Sequence, residues 1–278
     1  MDFTVLNHRL YAYDAGRGFD PARRTVVFIH GVLNDHSVWA LQSRHFAYNG
    51  WNVLALDLPG HGRSDGAPPQ TVEQAADAVL ALLDAAGAQR AALVGHSLGS
   101  LIAMEAAARA PQRVSHLALL GTAFPMAVAP ALLQASQDAP EKAIHMVNVF
   151  SHSTLAPLPS ALGPGTWLPG ASRALMRRVL ASNRQANVFY TGFRACDDYA
   201  GAEQALARVD CPTLFVIGRH DRMTPPKSAR ALASHARQAR MVEVDGGHAL
   251  MMEAPGQVLL ALRDFLDEKQ QRSQAVDT

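Results

Sequence analysis

Short runs of apolar residues recur along the chain, and each of them ends at a glycine or an aspartate. The runs occupy residues 25–30, 52–56, 91–94, 117–120, 212–217 and 240–244. Longer segments with apolar residues at helical spacing, such as 71–86 and 98–110, lie between them. Strands of a parallel sheet that is covered by helices on both faces have continuous apolar runs of this kind. The alternation therefore predicts an α/β fold with a doubly wound, mostly parallel sheet and right-handed crossovers.

One long segment, residues 123–205, breaks this alternation. It contains no convincing strand, is rich in Ala, Leu, Met and Pro, and is too long for a simple connection between two strands. We expect a mostly helical insertion over the top edge of the sheet, between the core segments 1–122 and 206–268. Residues 269–278 are polar and are expected to form a frayed tail.

The composition is that of an ordinary globular protein. The net charge is +1, which gives no reason to expect a polyanionic partner such as nucleic acid. No stretch approaches the ~20 apolar residues that a membrane-spanning helix needs. The N-terminus lacks the basic and apolar regions of a secretory signal, and Cys196 and Cys211 are expected to be reduced. These features predict a cytoplasmic protein, and they leave the oligomeric state open.

The residues Gly95-His96-Ser97-Leu98-Gly99 match the pattern Gly-x-Ser-x-Gly. The pattern alone is weak, but here a predicted strand runs directly into it and a predicted helix follows it. A serine on so sharp a turn is lifted above the sheet, where its hydroxyl can reach a substrate. The positive end of the following helix also favours developing negative charge. We therefore predict that Ser97 is a nucleophile rather than a helix cap in a glycine-rich turn.

A serine hydroxyl needs a general base, and histidine is the natural choice near neutral pH. Of the twelve histidines, His248 follows the last predicted strand across two glycines, which places it at the same sheet edge as Ser97. Asp221 follows the preceding predicted strand and can fix the tautomer of the imidazole. Asp57 also follows a strand, but its turn suggests a structural role, and Asp245 is more typical of a turn.

Backbone N–H groups must stabilise the oxyanion that forms when a serine attacks a carbonyl. Leu98, directly after the nucleophile, is one predicted donor. Val32, in the loop after the run 25–30, is the other, and His30 and Gly31 would shape that loop. The predicted chemistry requires no metal ion and no organic cofactor.

Together these residues resemble the α/β-hydrolase superfamily, and the chain order Ser, Asp, His is the order of that fold. The resemblance extends from about residue 3 to residue 266 and rests on the segments 30–31, 57–64, 95–99, 218–221 and 247–248. The chain is similar to the branch that holds small esterases, cofactor-free perhydrolases, carbon–carbon bond hydrolases and epoxide hydrolases. In that branch an insertion in the place of residues 123–205 forms a lid over the substrate pocket. Ser97, where epoxide hydrolases and haloalkane dehalogenases carry Asp, argues against both of those activities.

The resemblance implies a serine hydrolase that cleaves a small to medium carboxylic ester, a small-molecule substrate, through an acyl-enzyme. Two alternatives stay open: hydrolysis of a carbon–carbon bond in a vinylogous diketone, and a non-catalytic ligand receptor on the same fold. Carbon–carbon hydrolases of this branch often use an Arg from the lid. Asn34 and Arg194 are candidates for such polar roles. The plainer interpretation of Asn34 is an amide that caps a loop, and that of Arg194 is a solvated surface side chain. The candidates for an apolar pocket lining are Met126, Met146, Trp167 and Phe193.

Overall fold

Eight strands form one mostly parallel sheet, in the order β1-β2-β4-β3-β5-β6-β7-β8. The structure is a computed structural model that describes residues 1–153 and 167–274, with side chains described as far as residue 267. The strands are β1 (Asp2–Val5), β2 (His8–Tyr13), β3 (Arg24–Ile29), β4 (Trp51–Leu56), β5 (Ala91–His96), β6 (Val114–Leu120), β7 (Thr213–Gly218) and β8 (Ala239–Val244). Strands β3 to β8 pair in parallel and correspond to the predicted apolar runs, so the predicted fold class is confirmed.

The hairpin at the edge of the sheet was not predicted. Strands β1 and β2 pair antiparallel, and β2 pairs antiparallel with β4. Leu6 and Asn7 form the turn between them with φ of 49° and 66°. Two successive residues at positive φ match the right-handed twist of the flanking strands, which is why two-residue hairpin turns take this conformation.

Helices cover both faces of the sheet. Their bounds are α1 (Ala40–Tyr48), α2 (Val72–Ala85), α3 (Leu98–Arg109), α4 (Pro130–Asp138), α5 (Pro140–Ser151), α6 (Leu168–Ser182), α7 (Val188–Asp198), α8 (Ala202–Ala207), α9 (Pro226–Ala233), α10 (Leu250–Glu253) and α11 (Pro255–Gln274). Successive strand residues point to opposite faces. One face packs against α2, α3, α8 and α9, and the other packs against α1, α10 and α11.

The segment between β6 and β7 is helical wherever the structure describes it as regular. Helices α4 to α7 pack around an apolar cluster of their own, which also takes in Leu33 from the loop after β3. Helix α8 instead packs in the same cluster as α3, so the end of the predicted insertion 123–205 lies in the core. The action of this segment as a lid stays a prediction, and its residues 154–166 lie outside the described residues.

Helix α11 continues to Gln274, well into the segment 269–278 that was expected to be a frayed tail. Residues 275–278 of that segment lie outside the described residues. None of the helices in the described part of the chain combines the length and the apolarity that crossing a bilayer requires.

Candidate active site

Ser97 lies in the turn between β5 and α3 in a strained backbone conformation, with φ 54° and ψ −122°. Residues other than glycine rarely adopt positive φ. The Ser97 N–H donates to the carbonyl of Leu120, at the end of β6, over 2.9 Å. The Ser97 carbonyl accepts two hydrogen bonds from Ser100, one from its N–H at 2.8 Å and one from the Ser100 hydroxyl at 2.6 Å. These bonds hold a conformation of the kind that clusters at functional sites.

The two glycines that flank Ser97 are required by close backbone contacts. A methyl group at Gly95 would overlap the carbonyl of Gly99, and one at Gly99 would overlap the carbonyls of Ile29 and His30. Helix α3 therefore begins directly against the end of β3. This close approach lifts the Ser97 side chain above the sheet, as the sequence pattern predicts.

We expect Gly95→Ala to lower the free energy of unfolding by about 3 kcal/mol or more, because only a backbone shift can make room for the methyl group. Gly256→Ala is the matched control, since a methyl group there meets no atom within 4 Å. The control is expected to be neutral or slightly stabilising in a helix. Urea unfolding of the two variants and the wild type measures both effects. A Gly95→Ala protein with wild-type stability would contradict the described turn.

His248 lies in the loop after β8 and is joined to Asp221, which follows β7. The Nδ1 atom of His248 is 2.8 Å from Oδ2 of Asp221 and 3.1 Å from the hydroxyl oxygen of Thr224. Both His248 and Asp221 are buried. Because Nδ1 faces a carboxylate, it carries the proton, and Nε2 is left free to accept one.

The Asp221 carboxylate is held by a set of donors from its own loop. Its Oδ1 atom accepts the N–H groups of Met223 and Thr224, each at 2.8 Å, and its Oδ2 atom accepts the Thr224 hydroxyl at 2.6 Å. Burial alone would raise the pKa of Asp221, but the His248 ring and the Thr224 donors hold that pKa below its ordinary value. Asp221 is therefore a carboxylate at neutral pH. Thr224 was not predicted from the sequence.

The backbone of the His248 loop is fixed to the end of α5. The Ser151 carbonyl accepts the N–H of His248 at 2.7 Å and the N–H of Ala249 at 3.0 Å. The buried carboxylate of Glu253 accepts the N–H of Gly247 at 2.6 Å and the N–H of Ser153 at 2.7 Å. Burial raises the pKa of Glu253 even though these two N–H groups favour its charged form. The helical segment after β6 thus contributes directly to the position of His248.

The loop after β3 lies against the Ser97 side chain. A methyl group at Gly31 would sit 3.0 Å from Cβ of Ser97, which measures how closely this loop approaches. Within residues 1–153 and 167–274, neither the Val32 N–H nor the Leu98 N–H donates a hydrogen bond. Both predicted oxyanion donors are therefore near Ser97 and have no acceptor among those residues.

Two adjoining cavities meet at the predicted nucleophile and base. We call them cavity A and cavity B. Five residues line both cavities: Val32, Ser97, Phe193, Met223 and His248. Cavity B, the larger, has a volume of about 230 Å³, and most of its other lining residues are apolar. No hydrogen bond joins the Ser97 hydroxyl to the His248 ring among the described residues. This contact is often long in catalytic sites until a substrate binds.

The structure brings four of the six predicted pocket residues to these cavities. Phe193 lines both cavities, Asn34 lines cavity A, and Met126 and Met146 line cavity B.

Two predicted pocket residues lie elsewhere. Trp167 is 64% exposed and packs against Gly170 of α6. The Arg194 guanidinium pairs with Asp198, one turn further along α7, at 2.5 Å. Neither residue is among the described residues that line cavity A or cavity B.

Asp35, His36 and Asp57 are close enough together to be considered as metal ligands. The two carboxylates already accept hydrogen bonds from the protein. Oδ1 of Asp57 accepts the backbone N–H of His36 at 2.8 Å and lies 2.8 Å from the ring Nδ1 of His36, and Oδ2 accepts the N–H of Arg63 at 2.9 Å. Asp35 accepts from Ser37 and pairs with Arg178. This arrangement fits the structural role that the sequence predicts for Asp57.

His96, next to the nucleophile, is buried beside His248. Its Nε2 atom lies 2.9 Å from the His248 carbonyl, and the two ring centroids are 4.8 Å apart. Burial and the neighbouring His248 lower the pKa of His96 to about 3. Burial and the neighbouring His30 likewise lower the pKa of His61 to about 4. Both imidazoles are therefore neutral in the folded protein at pH 7.

We expect the free energy of unfolding to fall as the pH is lowered from 6.5 towards 4. In this window the unfolded chain binds protons on His61 and His96, near their ordinary pKa of 6.5, and the folded protein does not. The stability that these neutral rings contribute is thus present above pH 6.5 and is lost as the pH falls, by up to about 1.4 kcal/mol per pH unit for each ring. Urea unfolding at pH 7, 5.5 and 4.5 measures the slope. A constant unfolding free energy would contradict the burial of these rings in neutral form.

The described geometry agrees with the comparisons to known proteins. Residues 24–255 match the family model of the alpha/beta hydrolase fold, and the chain belongs to this family. The chain is 31% identical over 255 residues to a pimeloyl-[acyl-carrier protein] methyl ester esterase of Neisseria meningitidis, an alignment that covers 88% of this chain and 94% of the relative.

Solved structures of other proteins have the same fold as this chain. The enol-lactonase from Burkholderia xenovorans superimposes with a TM-score of 0.78 at 24% identity and covers 96% of this chain and 99% of its own. An esterase from Exiguobacterium antarcticum superimposes with a TM-score of 0.80 at 17% identity, covering 95% and 98% of the two chains. At these identities the likeness concerns the fold.

Proposed function

We propose that the protein is a serine hydrolase of small to medium carboxylic esters, with Ser97 as nucleophile, His248 as general base and Asp221 as the acid that fixes the imidazole tautomer. One observation carries the proposal: a strained Ser97 and a His248 bonded to a buried carboxylate line the same two cavities. The relative that is 31% identical is a methyl ester esterase, which supports an ester as the substrate.

The reaction follows from the positions of these groups. The Ser97 oxygen attacks the ester carbonyl carbon while Nε2 of His248 takes the hydroxyl proton, and the Val32 and Leu98 N–H groups stabilise the oxyanion. The carbon–oxygen bond to the alcohol then breaks as His248 gives its proton to the leaving oxygen, which leaves an acyl-enzyme. Water attacks the acyl carbon, His248 takes a proton from the water, and Ser97 leaves with that proton as the carboxylic acid product is released.

Helices α4 to α7 would act as the lid of this site. Phe193 of α7 lines both cavities, and Met146 of α5 lines cavity B. Their apolar side chains favour an apolar acyl or alcohol part in the substrate. The proposed division is a core of residues 1–122 and 206–268 with a lid of residues 123–205. Helix α8 is an exception within the lid range, because it packs against α3 of the core.

A panel of methyl and p-nitrophenyl esters of graded acyl length tests the proposal. We expect multiple turnovers with esters. Turnover of the coloured dienol form of a vinylogous diketone, without turnover of esters, would contradict ester hydrolysis and indicate carbon–carbon hydrolysis instead. Stoichiometric reaction with a fluorophosphonate but no multiple turnover on any substrate would indicate a ligand receptor.

A further inference from the structure

Arg222 is an exposed cation in the wall of cavity B. It follows Asp221 directly, and its guanidinium carbon lies 4.8 Å from the ring centroid of Phe150, which lines the same cavity. A guanidinium held over an aromatic face keeps its charge and its hydrogen-bond donors. The position of Arg222 is thus defined by an aromatic side chain rather than by a carboxylate.

No acidic side chain neutralises Arg222 in the part of the chain for which side chains are described. Arg219, on the same loop, behaves differently, because it pairs with Asp245 at 2.6 Å and approaches Glu243 at 3.9 Å. Residues 154–166, which follow α5 closely, contain no Asp or Glu. Among the residues whose side chains are described, Arg222 therefore has an unpaired positive charge, and it lines the same cavity as Ser97 and His248.

The rest of cavity B is suited to a hydrocarbon chain. Its lining includes Met126, Val128, Leu132, Met146 and Phe193. The Phe150 ring covers one side of the guanidinium, and a less aqueous surrounding strengthens the attraction of a cation for an anion. Guanidinium groups bind carboxylates and phosphates with paired hydrogen bonds. An occupant that satisfies both parts of the cavity has an apolar chain with an anionic group.

We infer that cavity B selects esters that carry a negative charge on an apolar chain, and that Arg222 binds this charge. The substrate class is an ester in which a hydrocarbon chain separates the cleaved bond from a carboxylate or a phosphate group. This inference rests on the proposed function and adds the charge of the substrate to it. Arg194, the arginine that the sequence suggested for a polar role at the site, is paired on the surface of α7 instead.

The test compares two esters of the same length: the monomethyl ester of a dicarboxylic acid of six to eight carbons, and the methyl ester of the matching monocarboxylic acid. We expect Arg222→Met to lower kcat/KM about fivefold for the anionic ester, mainly through a higher KM, and to leave the neutral ester within about twofold. Arg222→Lys should recover part of the loss, and added salt should reduce the preference of the wild type. A parallel ester that ends in a phosphate identifies which of the two anions depends more strongly on Arg222.

Arg219→Met is the matched control, because Arg219 lies on the same loop but is paired and is not among the described residues that line cavity B. It should change neither ester. Equal loss for anionic and neutral esters in Arg222→Met, or no loss for either, would overturn the inference. Failure of the proposed function is distinguishable from both outcomes, since the wild type would then turn over neither ester.

Discussion

Replacing Ser97 by alanine is expected to reduce ester hydrolysis by about 10⁴-fold or more, with little change in the unfolding temperature. In the proposed mechanism the reaction begins with attack by the Ser97 oxygen, and the oxyanion donors and the cavity alone supply only a small part of the rate in serine hydrolases. The fold should survive, because the bonds that hold the turn use the backbone N–H and carbonyl of Ser97 rather than its hydroxyl.

Initial rates with a p-nitrophenyl ester and thermal unfolding followed by circular dichroism measure the two effects. Ser234→Ala is a suitable control, since the Ser234 hydroxyl is exposed and bonds only locally, to the Ala231 carbonyl. A Ser97→Ala protein that keeps more than about a hundredth of the activity would show that another group is the nucleophile.

Asp221→Asn is expected to reduce kcat/KM by about 10⁴-fold through the tautomer of His248. The N–H groups of Met223 and Thr224 both point at Oδ1, so the amide oxygen will take that position and the amide NH₂ will face His248. An NH₂ group donates to Nδ1, which moves the ring proton to Nε2. A protonated Nε2 of a neutral ring cannot accept the proton of Ser97.

Asp245→Asn provides the comparison for this variant. Asp245 is also near His248 in sequence, but it pairs with Arg219 at the surface and is expected to affect the rate by less than about twofold. Thermal unfolding should show that both variants are folded. Near-normal activity in Asp221→Asn, or a large loss in Asp245→Asn, would mean that the acid has been assigned wrongly.

The sequence was sufficient for those parts of the molecule that depend on local patterns. Buried parallel strands need continuous apolar runs, so β3 to β7 could be recognised. Strand β8, at the edge of the sheet, is mostly exposed and was recognised from its shorter apolar pattern and the glycines that follow it. The glycines around Ser97 are required by backbone contacts within one turn, which makes that turn a local signal as well. By contrast, the turn at Leu6 and Asn7 contains no glycine, although both residues have positive φ, and the hairpin that it joins was missed.

The parts that could not be predicted depend on contacts between distant segments. Thr224 bonds to His248 only because two loops meet, and the Ser151 carbonyl accepts the His248 N–H from the end of α5. Neither contact has a signature in sequence spacing. Arg222 is a similar case, because it lines cavity B beside Phe150, which lies at the end of α5 and far away in the sequence. The pairing of Arg194 with Asp198 is local by contrast, since the two residues are four apart on α7.

The most direct test of the account is the site at which a fluorophosphonate attaches. Activation of Ser97 by the Asp221-bonded His248 predicts one adduct per chain, located by peptide mass spectrometry on Ser97 and formed at least about 100-fold more slowly in His248→Ala. An adduct on a different residue, or an unchanged labelling rate in His248→Ala, would contradict the claim that these three side chains act together.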